Sequence, residues 1–173
     1  MARRIEHRST SEWPAAEVYR ALIDPAFIEA RLKELGGSGA VLVNHAHTDD
    51  GAFQFQLRHS VSVESLPTVA RSVVGGDLTI ERSESWRREE DGYYTGEIAA
   101  EIAGAPCSIT GSMWLRDLAD TSGPAISELV VSGGVKVNLP FVGGKMEDLV
   151  VDQVQKLLAD EERFATEWLA HRA

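Results

Sequence analysis

Cysteine is almost absent from this chain: Cys107 stands alone among 173 residues. One thiol excludes an internal disulfide and any zinc site built on several cysteines. Long apolar runs are missing too. No stretch approaches the roughly 18 apolar residues of a membrane span, and no signal-type apolar segment is present. A cytoplasmic protein without stable membrane insertion is the expectation. Positive charge is scarce, with 17 Lys and Arg against 27 Asp and Glu and a formal net charge of −10. The basic residues are also scattered, so neither nucleic acid nor an anionic membrane surface is an expected partner. Familiar catalytic motifs are lacking. Gly143-Gly144-Lys145 is followed by Met146 where a phosphate loop needs Ser or Thr, and the upstream glycine is missing. No Gly-x-Ser-x-Gly elbow occurs. No cofactor is expected.

What is present is a long amphipathic segment in the C-terminal quarter. Apolar residues recur at Met146, Leu149, Val150, Val154, Leu157, Leu158, Phe164, Ala165, Trp168 and Leu169, one stripe of a 3.6-residue period. The spacing predicts one helix from Lys145 to about His171, a rod of about 39 Å at roughly 1.5 Å per residue. A rod with one apolar face needs an equally long surface to cover it.

The strands upstream are that surface. Arg3 to Ser9 reads as a first strand, followed by two short helices, Trp13 to Ile23 and Ala26 to Leu35. Asp24-Pro25 separates them, because a residue before proline is pushed out of the helical region. Gly36-Gly37 ends the second. From Gly39 to Val137 the period becomes two. Phe53, Phe55, Leu57 and His59 share one strand face; Ile80, Arg82, Glu84 and Trp86 share another. Ile98, Ala100 and Ile102 follow, then Cys107, Ile109, Gly111, Met113 and Leu115. With the first strand and a last one from Ile126 to Val137, this predicts an antiparallel sheet of seven strands in an α+β domain spanning residues 1–173.

Asp49-Asp50-Gly51 and Glu90-Asp91-Gly92 suit three-residue hairpins with glycine in the left-handed position. That register sets Trp86 beside Gly96, Glu84 beside Ile98 and Arg82 beside Ala100. A four-residue loop from Ala103 to Pro106 then sets Ile98 beside Gly111 and Gly96 beside Met113. Two-residue turns would throw the faces out of step. The same hairpin logic puts His45 and His47 beside Phe55 and Phe53, with His59 near Val41. No three histidines then come within a metal's reach, and no metal is expected.

The element order, with Trp13 to Ile23 followed by Asp24-Pro25-Ala26-Phe27 and Val137-Asn138-Leu139-Pro140-Phe141-Val142-Gly143-Gly144-Lys145-Met146-Glu147 leading into the last helix, resembles the START-like (SRPBCC) superfamily. That group includes the birch-pollen allergen, polyketide cyclases and lipid-transfer domains. The chain looks closest to a branch known only as a domain of unknown function. The resemblance implies a helix-grip fold: a curved sheet wrapped around the terminal helix, with an apolar cavity between them.

The residues bear on that cavity separately. The helix-facing side carries Gly96, Ala100 and Gly111 where a solid core would want larger groups. Either they leave a hollow, or they ease strand curvature while Trp86 and Met113 fill the space. On the first reading Phe55, Trp86, Ile98, Ile109, Met113 and Val154 line a ligand pocket, and a larger residue at Gly111 fills it without unfolding the protein. Arg82 and Glu84 share this face, and buried charges are costly unless paired. They are either the polar anchor of a ligand or a structural ion pair, with His59 a further polar neighbour. The leading expectation is binding or carriage of a small hydrophobic molecule, such as a fatty acyl, isoprenoid or polyketide-like compound. A cyclase or dehydratase with Glu84 or His59 as general base and Arg82 stabilising an enolate is one alternative. An interaction module with a filled interior is the other.

Overall fold

The computed structural model describes residues 2–37, 39–72, 74–120 and 122–172. The order is β1 (Arg3–Ser11), α1 (Ala15–Leu22), α2 (Pro25–Leu35), β2 (Val41–His47), β3 (Phe53–Val61), a 3-10 turn (Val63–Ser65), α3 (Thr68–Arg71), β4 (Leu78–Glu90), β5 (Tyr93–Ala103), β6 (Cys107–Asp117), β7 (Ser127–Val137) and α4 (Gly143–Arg172). The strands form one seven-stranded sheet in the order β1-β7-β6-β5-β4-β3-β2, antiparallel throughout. This is the helix-grip arrangement. The turn and α3 between β3 and β4 are additions that no clear period announces in residues 63–77.

The registers across β4, β5 and β6 match the hairpin reasoning. Trp86 pairs with Gly96, Glu84 with Ile98 and Arg82 with Ala100. Ile98 pairs with Gly111 and Gly96 with Met113. One hairpin reaches this offset by a different tip. Glu90 pairs with Tyr93, so Asp91 and Gly92 form the turn and Glu89 is bulged out of the ladder. Gly92 takes φ +74°, and the bulge restores the register that a three-residue loop would set. A second irregularity lies between Leu42 and Asn44 in β2, which places Val41 opposite Arg58 and so moves His59 one position off the expected pairing. His45 and His47 lie opposite Phe55 and Phe53 and are exposed. Among the described residues no three His, Cys, Asp or Glu groups converge to hold a metal ion.

The first two helices are started by side chains. Asp24 accepts a hydrogen bond from the Ala26 amide at 3.0 Å and caps α2. The α1 terminus is held from a distance: the Ala15 amide donates to Asp117 Oδ1 of β6 at 2.8 Å. That bond ties α1 to the end of the sheet. Helix α4, about 45 Å long at roughly 1.5 Å per residue, packs chiefly on β1 and β7 and also meets α1 and α2. Near its start Glu147 is buried, and its Oε2 accepts from the Val137 amide at 2.9 Å, joining the last strand to the helix. No helix among the described residues is long and apolar enough to cross a membrane.

Candidate functional site

Charged side chains ordinarily point outward; here four of them, from three elements, point in. Arg82 and Glu84 lie on the concave side of β4, as their spacing of two requires. Arg31 reaches them from α2 and Glu161 from α4. Arg82 holds Glu161 through both terminal nitrogens, Nη1 to Oε2 and Nη2 to Oε1, each at 3.1 Å. Its Nη2 also lies 3.0 Å from Glu84 Oε2. Arg31 Nη2 is 3.5 Å from the same Glu84 oxygen, and Arg31 Nε is 3.4 Å from Glu161 Oε2. Two guanidiniums and two carboxylates thus form a closed, formally neutral quartet.

Burial gives the quartet its importance. The side chains of Arg31, Arg82 and Glu84 are 7 %, 7 % and 4 % exposed, and Glu161 is 12 % exposed. Burial opposes the Glu161 charge, but Arg31 and Arg82 outweigh it and hold the carboxyl down at about 2. Burial likewise opposes the Arg82 charge, and Glu161 and Glu84 more than restore it, so Arg82 sits above its ordinary range. Arg82 Nε is buried without a partner. His59, half-buried on β3, borders the group. Burial first and the positive charge of Arg82 second push its pKa below the ordinary histidine range.

A cavity of about 80 Å³ lies beside the quartet, between the sheet, α1, α2 and the C-terminal half of α4. The sheet contributes Trp86, Ile98, Met113, Leu115 and Val131, and α4 contributes Leu158, Ala165 and Leu169. All four quartet members reach its wall, and Ser9, Ser11, Ser127 and Thr166 add neutral polar groups, so large apolar side chains and polar ones share the lining. A second polar pair, His7 Nε2 and Glu162 Oε2 at 3.0 Å, links β1 to α4 along the same wall.

Five of the ten residues singled out from the sequence line this cavity: Arg82, Glu84, Trp86, Ile98 and Met113. Phe55, His59, Ile109, Gly111 and Val154 do not. Phe55 is buried toward the β2 edge, its ring 6.0 Å from that of Phe53. Ile109 sits opposite Val135, one row further from α1 than the Gly111–Gly133 pair. Val154 is one helical turn before Leu158, where the cavity ends. The hollow is therefore displaced toward α1 and α2 from the expected position.

Gly111 calls for a correction. A Cβ there would meet Ser132 O at 2.8 Å and Gly133 Cα at 3.3 Å. The missing side chain is not spare volume but close approach of β6 to β7, and leucine at this position strains the sheet instead of filling a pocket. Gly96 is closed in both ways: a Cβ would meet Ser85 O of β4 at 2.6 Å and lie 3.0 Å from both Trp86 Cδ2 and Met113 Cε, so close backbone and two side chains take its space. Cys107 is buried, which raises its pKa to about 11 with help from Glu147, and it stays a neutral thiol. A wider concavity of about 560 Å³ lies against the sheet, and its wall includes the polar, outward-alternating Gln54, Gln56, Ser83 and Ser85.

The sequence reading missed Arg31 and Glu161. Each carries a signal in hindsight. Arg31 lies four residues after Phe27 and three after Ile28, within the buried face of α2. Glu161 lies three after Leu158 and four before Ala165, within the stripe of α4. A charge set inside an apolar stripe needs a buried partner, and Arg82 and Glu84 on the facing strand are such partners.

The family described as Protein of unknown function (DUF2505) matches residues 6–169. The chain belongs to this family. Uncharacterized protein Rv0481c of Mycobacterium tuberculosis (strain ATCC 25618 / H37Rv) is 30% identical over 175 residues, covering 99% of both chains. Uncharacterized protein Mb0491c of Mycobacterium bovis matches to the same extent. Among solved structures, TTHA0849 from Thermus thermophilus is similar with a TM-score of 0.63 at 15% identity, over 99% of both chains. A START superfamily protein from Mycobacterium smegmatis gives 0.53 at 16% identity, over 96% of this chain and 98% of that one. Ara h 8.0201 gives 0.54 at 12% identity over 99% of both. At such identities the likeness is one of fold: the chain shares its helix-grip architecture with these structures.

Proposed function

We propose that this protein binds or carries a small, mainly hydrophobic molecule between the sheet and α4, acting in the cytoplasm. The observation that supports this most is the combination in one cavity of an apolar wall with a buried guanidinium, Arg82, whose Nε has no partner. Ligand sites commonly pair apolar lining with a few fixed polar groups. Fatty acyl, isoprenoid and polyketide-like compounds bearing one polar end have that character. The volume sets a condition on size. A dry cavity of about 150 Å³ takes benzene, so about 80 Å³ admits only the end of a longer ligand until α4 gives way.

The test uses Ala165, an α4 residue on the cavity wall with a small side chain. Wild-type protein incubated with a mixed lipid extract is expected to retain a bound small molecule by native mass spectrometry, and Ala165→Leu to lose it while remaining folded. Wild type that carries nothing across lipids and aromatic polyketide-like compounds favours the filled-interior module. Retention by Ala165→Leu puts the ligand somewhere else.

A further inference from the structure

We propose that Glu161 is an internal surrogate for a ligand carboxylate, and that an anionic amphiphile enters the cavity by exchanging with it at the fork of Arg82. The inference rests on the cavity being a ligand site and goes on to say which chemical class the site selects and what moves. Its first support is geometric. Two parallel contacts of 3.1 Å between Arg82 and Glu161 are the arrangement by which arginine takes a free carboxylate. A carboxylate delivered by a ligand would find the same end-on fork of Nη1 and Nη2, or the side-on pair of Nε, now unpartnered, and its neighbouring terminal nitrogen.

Charge supplies the second support. The quartet is neutral, so an anion that bound without exchange would leave one uncompensated negative charge in the interior, which is costly. Exchange keeps the count level. Among the four members Glu161 lies nearest to solvent, at 12 % exposure against 7 % or less for the others. Arg82 and Glu84 are fixed on a central strand and Arg31 packs over the Phe27 ring with its Cζ 5.6 Å from the centroid. Glu161 sits on the outermost layer, is the most exposed of the four, and has the half-exposed Asp160 and Glu162 as neighbours. Turned outward, its carboxylate recovers the hydration it lacks inside.

Topology makes the exchange useful. The apolar lining of Trp86, Met113 and Leu115 continues from the quartet on one side, and Leu158, Ala165 and Leu169 of α4 face it from the other. A ligand with its carboxylate on Arg82 therefore lays its chain under the stretch of α4 that Glu161 anchors. Releasing Glu161 removes one tie of that stretch, leaving the His7–Glu162 contact at its edge, and lets it shift outward to enlarge a cavity too small for an alkyl chain. The anion is both the recognised group and the key to the volume its own tail needs.

Calorimetric titration of decanoate and of decanol, on wild type and Glu161→Gln, tests this. Wild type is expected to bind decanoate more tightly than decanol. Removing the competing charge is expected to strengthen decanoate binding by about tenfold or more, a difference of about 1.4 kcal/mol, and to leave decanol nearly unchanged. Hydrogen exchange on the wild type decides the matter even if Glu161→Gln does not fold. Decanoate, but not decanol, is expected to speed exchange of the backbone amides between Leu158 and Leu169. Equal effects of Glu161→Gln on both ligands, or slower exchange across that stretch with decanoate, overturn the proposal. Decanol binding as tightly as decanoate with α4 exchange unaltered rejects the carboxylate exchange while leaving the cavity as a ligand site. Binding of neither compound to either protein removes the ligand site and this inference with it.

Discussion

Replacing Arg82 with methionine is expected to lower the free energy of unfolding by about 3–5 kcal/mol, the range found when one partner of a buried ion group is removed. The reason is the group left behind. Without Arg82, the Glu161 and Glu84 carboxylates share Arg31 alone, at 3.4 and 3.5 Å, and one negative charge in the interior is uncompensated. The double replacement Arg82→Met with Glu161→Met removes one charge of each sign and leaves Arg31 and Glu84 as a pair. It is expected to be far less damaging than the sum of the single changes, with a coupling of about 0.5–3 kcal/mol. Urea denaturation of the four proteins measures this. A single variant within about 1 kcal/mol of wild type would mean that water reaches the quartet and that its members do not depend on each other.

Trp86→Ala is expected to cost about 3–5 kcal/mol as well, for an apolar reason. Trp86 is 2 % exposed. It covers Gly96 across the hairpin and meets the Tyr19 ring edge-on at 6.4 Å between centroids. Only Met113, whose Cε shares the space over Gly96 with the indole, could move in, and it is smaller than the ring it would replace. Gly96 has no side chain, and Tyr19 is already stacked on Tyr94 at 4.1 Å. The hole also adjoins the existing cavity, so the vacated space joins it. Trp86→Phe, which retains part of the ring area, is expected to fall between. A denaturant midpoint unmoved by Trp86→Ala would place the indole in water and contradict the pairing of β4 with β5.

These two residues also show why the sheet was readable from the amino-acid order. A period of two assigns a face with no knowledge of the partner strand, and glycine in the hairpins sets how the strands align. Trp86, Gly96 and Met113 follow from those two rules. So does the presence of Arg82 and Glu84 on a buried face. The rules end where separate elements cross. Periodicity says that α4 has an apolar stripe, but not how far it slides along the groove. The cavity therefore lies nearer Leu158 to Leu169 than the residues Ile109 and Val154 imply. Arg31 and Glu161 were hidden for a related cause: one charge in a stripe looks like tolerance until the element opposite is known. Gly111 misled because a small residue has two opposite meanings, a hollow or a close approach, and only the β6–β7 pairing with Gly133 tells them apart.

In the proposed function an apolar ligand sits against Trp86 and Met113 beneath the C-terminal half of α4. Methionine methyl resonances test it directly. Met113 lines the cavity, whereas Met146 is buried in the first turns of α4 at the far end of the grip and is the internal control. Titration of methyl-labelled protein with decanoate is expected to shift the Met113 signal saturably and leave the Met146 signal in place. A Met113 signal that stays fixed at saturating ligand, or a shift confined to Met146, contradicts the account.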